Sequence, residues 1–146
     1  MDVDVTTVID IARPRDRVAA FAGDPATATS WYANITAARM LTPEPLAAGS
    51  QIAFSAKFLG RRLDYTYEVA EYVSGSRLVM RTADGPFAME TTYEWTDAGG
   101  GGTRMTLRNR GRPSGFAAVM GRAMEAAMRR ANRKDLARLK TILEAG

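Results

Sequence analysis

Three tyrosines, Tyr65, Tyr67 and Tyr93, are the side chains of this sequence best placed to do polar chemistry in an apolar setting. A buried phenol needs a partner, so each could orient a ligand carbonyl or act as a general acid. Each could equally bond to backbone or water. Thr91 and Asn109 are weaker polar candidates on neighbouring segments. The chain has no histidine and no cysteine. That removes thiolate nucleophiles, disulfides, Cys/His metal sites and a Ser-His-Asp triad. No clustered Asp/Glu loop of the calcium type is present, and neither a metal nor a cofactor is expected. The glycine run 99–102 has no Lys-Ser/Thr sequel and no helix behind it, so it reads as a turn and not a phosphate loop. Acid–base catalysis would call for an inward charge. Glu71 has inward parity but lies near a strand end, and Arg39 and Arg81 would point inward only through a bulge. No catalytic residue is assigned, and ligand binding is preferred to catalysis.

These side chains must be held by strands. Val3, Val5, Thr7, Ile9 and Ile11 alternate onto one face of a first strand. Arg13-Pro14 opens a short helix with Val18, Phe21 and Ala22 as its apolar stripe. Asp24-Pro25 caps and starts a second short helix that runs to about Trp31. From Ile35 to Arg112 the pattern is six strands separated by turns. A turn at Gly60-Arg61 would set Phe58 opposite Leu63, Ala56 opposite Tyr65, Phe54 opposite Tyr67 and Lys57 opposite Asp64. Symmetry about Gly99 would set Tyr93 opposite Met105 and Thr91 opposite Leu107. The same register pairs Glu94 with Arg104 and Glu90 with Arg108.

Ser114 can cap a final helix reaching about Glu144, roughly 45 Å at the usual rise per residue. Phe116, Met120, Met124 and Met128 recur every fourth residue on it, and Leu136, Leu139, Ile142 and Leu143 continue the apolar face. The net charge is +4, and residues 1–113 are balanced, so the whole excess lies in this helix. Its basic face comprises Arg122, Arg129, Arg130, Arg133, Lys134, Arg138 and Lys140. That face reads first as solvated, with transient attraction to anionic lipid headgroups as the functional alternative. It lacks the interleaved aromatics of a nucleic-acid surface, so no nucleic acid is expected.

The order is strand, two short helices, six strands, long helix: an α+β chain with a curved antiparallel sheet, read as one domain over residues 1–146. No signal peptide and no membrane-length apolar run are seen, so a cytoplasmic protein is expected. In its Val8-Ile9-Asp10-Ile11 strand with Arg13-Pro14, its Phe21-Ala22-Gly23-Asp24-Pro25 step and Trp31, the chain resembles the helix-grip fold of the START/Bet v 1-like (SRPBCC) superfamily. The Leu46-Ala47-Ala48-Gly49-Ser50 lead into a strand, Thr103-Arg104-Met105-Thr106 after its Gly-rich turn, and the long last helix extend the likeness over nearly the whole chain. Within the superfamily the polyketide cyclase/dehydrase and lipid-transport group is the most similar.

The resemblance implies a hydrophobic cavity between the concave sheet face and the last helix. It also implies a small hydrophobic partner such as a lipid, sterol or polyketide. Some members cyclise or dehydrate their ligand, others carry or sense it, and no universal catalytic motif is shared. On the expected inward faces, the ligand-contacting candidates are Phe54, Phe58, Tyr65, Tyr67, Met80, Phe87, Met89, Thr91, Tyr93, Met105, Leu107 and Asn109. Phe116, Met120 and Met124 face them from the helix. Trp31 is placed near the cavity mouth, or else anchors its helix to the sheet. The same residues would otherwise form a dry core. A third reading is an interaction module with a vestigial cavity. A monomer or a homodimer is expected.

Overall fold

A computed structural model describes residues 2–58, 60–85, 88–112 and 121–146. Seven strands form one antiparallel sheet: β1 (Val3–Ile11), β2 (Ile35–Met40), β3 (Gln51–Phe58), β4 (Arg61–Val73), β5 (Arg77–Asp84), β6 (Met89–Gly99) and β7 (Gly102–Gly111). Their spatial order is β1-β7-β6-β5-β4-β3-β2. Five consecutive hairpin connections build β2 through β7. The first strand returns along the last, pairing from Val3↔Gly111 to Ile11↔Thr103. The sheet curls, and its concave face takes up the helices.

The alternation in β1 does what period-two patterning requires. Val3, Val5, Thr7 and Ile11 are buried, Ile9 is half-buried, and Val8 on the other face is exposed. The first helix, α1, spans Arg15–Ala22, with Pro14 just outside it in extended conformation. Val18, Ala19 and Ala22 form its buried side. A 3-10 turn at Pro25–Thr27 follows, and the Asp24 carboxylate accepts the Ala26 N–H at 2.9 Å, satisfying an otherwise orphaned donor. The short α2 (Ala28–Trp31) then leads into β2. The long last helix, α3, is described over Gly121–Ala145. The expected Ser114 cap, Phe116 and Met120 lie outside the described residues, as does Phe87.

Both expected hairpin registers are off by two residues. The β3–β4 pairing sets Phe58 opposite Arg61, Ala56 opposite Leu63, Phe54 opposite Tyr65 and Ile52 opposite Tyr67. Ser55 replaces Lys57 opposite Asp64 and donates its hydroxyl to that carboxylate at 2.7 Å. The β6–β7 pairing sets Trp95 opposite Met105, Tyr93 opposite Leu107 and Thr91 opposite Asn109. Here the turn is made tight by Gly100 and Gly101, both at positive φ, with a bulge between Asp97 and Gly99. Two-residue loops of that kind match the twist of the flanking strands. A two-residue slip leaves every side chain on its own face, so the inward and outward sets survive.

The ion pairs change partners accordingly. Arg104 bridges Asp10 and Arg108 bridges Asp4, both across to β1. Glu94 pairs with Arg77 on β5, and Glu90 with Arg81.

Two apolar clusters join helix to sheet. The larger gathers Leu136, Leu139 and Leu143 of α3 with Val18, Trp31, Ile52, Leu78, Trp95, Met105 and Leu107. The smaller brings Met124 against Val3 and Val5, with Phe58 and Met128 beside them. The C-terminal turn of α3 is tied to the β1–α1 junction by polar links. Arg13 donates to the Glu144 carbonyl at 2.6 Å and to Gly146 at 2.9 Å. The Glu144 carboxylate accepts the Ala12 N–H and the Lys140 ammonium.

Candidate functional site: a tyrosine-dotted cavity beneath the last helix

Between the two clusters lies a cavity of about 400 Å³. Its walls come from all seven strands on one side, from the α1–α2 step, and from α3 opposite. Most of the lining is apolar: Phe54, Phe58, Leu63, Met80, Met89, Met124 and Met128 among others. An aromatic group forms one wall. Tyr65 stacks on Phe54 with ring centroids 5.4 Å apart and meets Tyr67 edge-on at 5.0 Å.

Of the expected contact residues, the structure places Phe54, Phe58, Tyr65, Tyr67, Met80, Met89, Thr91, Tyr93, Asn109 and Met124 on the cavity wall. Trp31, Met105 and Leu107 are not on it. Trp31 is 1% exposed and stacked on Tyr32 at 3.9 Å, so it anchors the short helix instead of standing at a mouth. Met105 and Leu107 are wholly buried in the core. They share the inward face with the wall residues, but they sit in β7 under the core-forming half of α3, and parity alone does not separate the two halves.

The polar wall groups form two sets. In the first, the Tyr67 hydroxyl lies 2.8 Å from the Thr91 hydroxyl, which donates to Asn109 Oδ1 at 2.9 Å. Thr91 has one proton and gives it to Asn109, so Tyr67 is the donor in the other link. Burial pushes the Tyr67 phenol up to about 12. In the second set, the Tyr32 and Tyr93 hydroxyls bond to each other and tie the end of α2 to β6. Burial raises both phenols, and that of Tyr65, well above the ordinary tyrosine value. All four tyrosines are therefore neutral hydroxyl groups at physiological pH.

The expectation that no charge faces inward is corrected by α3. Asp135 lines the cavity and is 3% exposed. Its Oδ1 accepts the Ala33 N–H at 3.0 Å. Burial pushes its carboxyl up to about 6, against the pull of that backbone bond. One turn earlier, Asn132 also lines the cavity. It is 6% exposed, and its Nδ2 is buried without a partner. Asp24, Glu90, Arg61 and Arg110 complete the charged lining. Glu71, Arg39 and Arg81 do not join it: all three are exposed, with Glu71 held by Arg77.

A sequence signal for Asn132 and Asp135 existed. They continue the Met124–Met128 stripe at spacings of four and three, and so fall on the buried face. Their neighbours Arg133 and Lys134 disguise them as part of the basic surface. Tyr32 follows a helix end, where periodicity carries no direction, so the sequence gives no signal for it. Among the described residues no group of three or more acidic side chains could hold a metal ion.

The fold is shared with solved structures from several bacteria. A Thermus thermophilus protein, TTHA0849, superposes with a TM-score of 0.84 at 20% identity, covering 98% of this chain and 99% of that one. The ZhuI aromatase/cyclase of Streptomyces sp. R1128 gives 0.81 at 16%, covering 99% and 94%. A START superfamily protein of Mycobacterium smegmatis gives 0.71 at 14%, covering 97% and 94%. At these identities the likeness speaks for the fold. No curated protein matches the sequence. The model of the family described as polyketide cyclase / dehydrase and lipid transport matches residues 2–144. With that match over nearly the whole chain, and with a helix-grip sheet and helix, the chain belongs to this family.

Proposed function

We propose that the protein binds a small hydrophobic molecule in the cavity beneath α3 and carries or senses it. The observation behind this reading is the cavity itself. A space of about 400 Å³ walled mainly by apolar groups, six aromatic rings and four methionines among them, with a few convergent hydroxyls, is what a small-molecule pocket requires. Methionine adds adaptability to ligand shape. Native mass spectrometry of protein taken from cell extract tests it. A stoichiometric hydrophobic adduct is expected. No adduct, together with no thermal shift from a broad panel of lipids and polyketides, overturns it.

A second reading is acid–base catalysis of a cyclisation or dehydration. One observation favours it: Asp135 is a buried carboxyl with a proton affinity near neutrality, within electrostatic reach of the Tyr32 and Tyr93 hydroxyls. Turnover of a recovered ligand, abolished in Asp135→Asn with binding retained, would replace the carrier reading with this one. Contact with an anionic lipid surface is a further part of the proposal. It is supported by Arg122, Arg129, Arg130, Arg133 and Lys134 on α3, none of which has a carboxylate partner among the described residues.

A further inference from the structure

Asn132 and Asp135 present an unusual combination. Both lie on the buried face of α3, three residues apart and hence neighbours on that face. Both line the cavity. The Asn132 amide nitrogen is a donor with no acceptor. The Asp135 carboxylate has one oxygen occupied by the Ala33 N–H, and its other oxygen takes no hydrogen bond from any described residue. A buried donor without an acceptor is costly to leave unpartnered, and one helical turn away stands a carboxylate oxygen that no described residue fills. A dry apolar core would not place them there, and a hydrocarbon ligand would leave both unanswered.

We infer that Asn132 and Asp135 form a polar seat on α3 that reads a neutral oxygenated ligand, with Asn132 Nδ2 donating to a carbonyl oxygen and Asp135 accepting from a hydroxyl. This rests on the proposed cavity binding and deepens it by naming the chemistry of the ligand. The seat selects against two alternatives. A plain hydrocarbon strips water from both groups without replacing it. A fatty-acid carboxylate placed there meets Asp135 as a like charge. The Tyr67–Thr91–Asn109 set is internally bonded, whereas the Asn132 amide nitrogen on the helix side is buried with no acceptor. The ligand's oxygenated edge accordingly turns toward α3, and its apolar body toward Phe54, Tyr65 and Met80.

Three naphthalene probes of similar size separate the roles: 2-acetylnaphthalene carries the carbonyl, 2-naphthol the hydroxyl, and 2-ethylnaphthalene neither. Calorimetric titration of the intact protein at pH 7.5 should show both oxygenated probes binding about tenfold tighter than the hydrocarbon, once each is corrected for its partition from water into alkane. Asn132→Leu should remove the ketone's advantage and leave that of the naphthol. Asp135→Asn should do the reverse, since the amide oxygen keeps the bond to Ala33 while the carboxylate acceptor is lost. Equal corrected affinities in the wild-type protein overturn the seat and leave cavity binding intact, a result that needs no variant. An equal loss of all three probes in either folded variant assigns that residue to packing and also overturns it. If none of the three binds, the cavity reading itself fails.

Discussion

Asp135 is a carboxyl group held away from water, with a single backbone N–H to stabilise its charge. Its folded-state proton affinity lies above that of the unfolded chain, so between about pH 4 and 6 the native state binds the extra proton. Stability from this group is present below that window and is lost as pH rises through about 6. Replacing it by Asn removes the cost of the buried charge while keeping an acceptor for Ala33. Asp135→Asn should therefore raise stability at pH 8 by about 2 kcal/mol and change it little at pH 4.5. Urea midpoints of both proteins across that range check it, and a difference independent of pH contradicts it. The exposed pairs Asp4–Arg108 and Asp10–Arg104 have the opposite sign, because their carboxyls are held low by arginine. Their contribution is lost on acidification in both proteins and cancels in the comparison. At this scale the aromatic and methionine wall was readable from alternation, since strand parity alone places Phe54, Tyr65, Tyr67 and Tyr93. Asp135 and Asn132 were not, because helix-facing polar residues amid Arg133, Lys134 and Arg138 look like solvent residues until the stripe is followed through them.

At the scale of elements, the β1–α1 junction and the last turn of α3 close on each other through Arg13. Its guanidinium serves the Glu144 and Gly146 carbonyls, acceptors that a helix C-terminus leaves without intrahelical partners. Arg13→Ala should lower stability by about 1–2 kcal/mol, because two charge-assisted bonds to those carbonyls go unmade. Amide exchange in residues 140–145 should quicken more than in β6 and β7, and uniform quickening would contradict a local latch. The element order could be read from turn residues and apolar periods. The pairing registers could not, for a specific reason. Opposite charges were matched between β6 and β7, but in the sheet Arg104 and Arg108 reach β1, which lies far away in sequence. A hairpin considered by itself offers no sight of the strand on its other side. Face identity survived the error because the side-chain period is two.

For the molecule as a whole, charge is distributed unevenly. The outer sheet surface pairs most of its arginines with carboxylates, as in Arg77 with Glu71 and Glu94, and Arg81 with Glu90. On α3 the outward Arg122, Arg130, Arg133 and Lys134 stand with exposed Ala126 and Ala137 among them and no carboxylate partner among the described residues. Such a face should bring the protein down with vesicles rich in phosphatidylglycerol at about 50 mM salt and release it at about 500 mM, where the screening length shrinks below the charge spacing. Sedimentation with phosphatidylcholine vesicles alone should fail. Equal sedimentation with both compositions would mark an apolar attachment instead. No described helix is long and apolar enough to cross a membrane.

The two tryptophans have a consequence of another kind. Trp31 and Trp95 flank Tyr93 at 6.1 and 5.9 Å, and Tyr93 is part of the cavity wall. Neither indole N–H has a hydrogen-bond partner, and both rings are almost wholly shielded from water. Excited-state energy captured by the wall phenol passes to its indole neighbours over a few ångströms, and these are the only tryptophans in the chain. The tryptophan emission of the protein thus comes entirely from two indoles set directly behind a cavity-wall residue. A ligand entering the cavity should therefore change this unlabelled tryptophan emission, and an emission unchanged on binding would contradict the coupling.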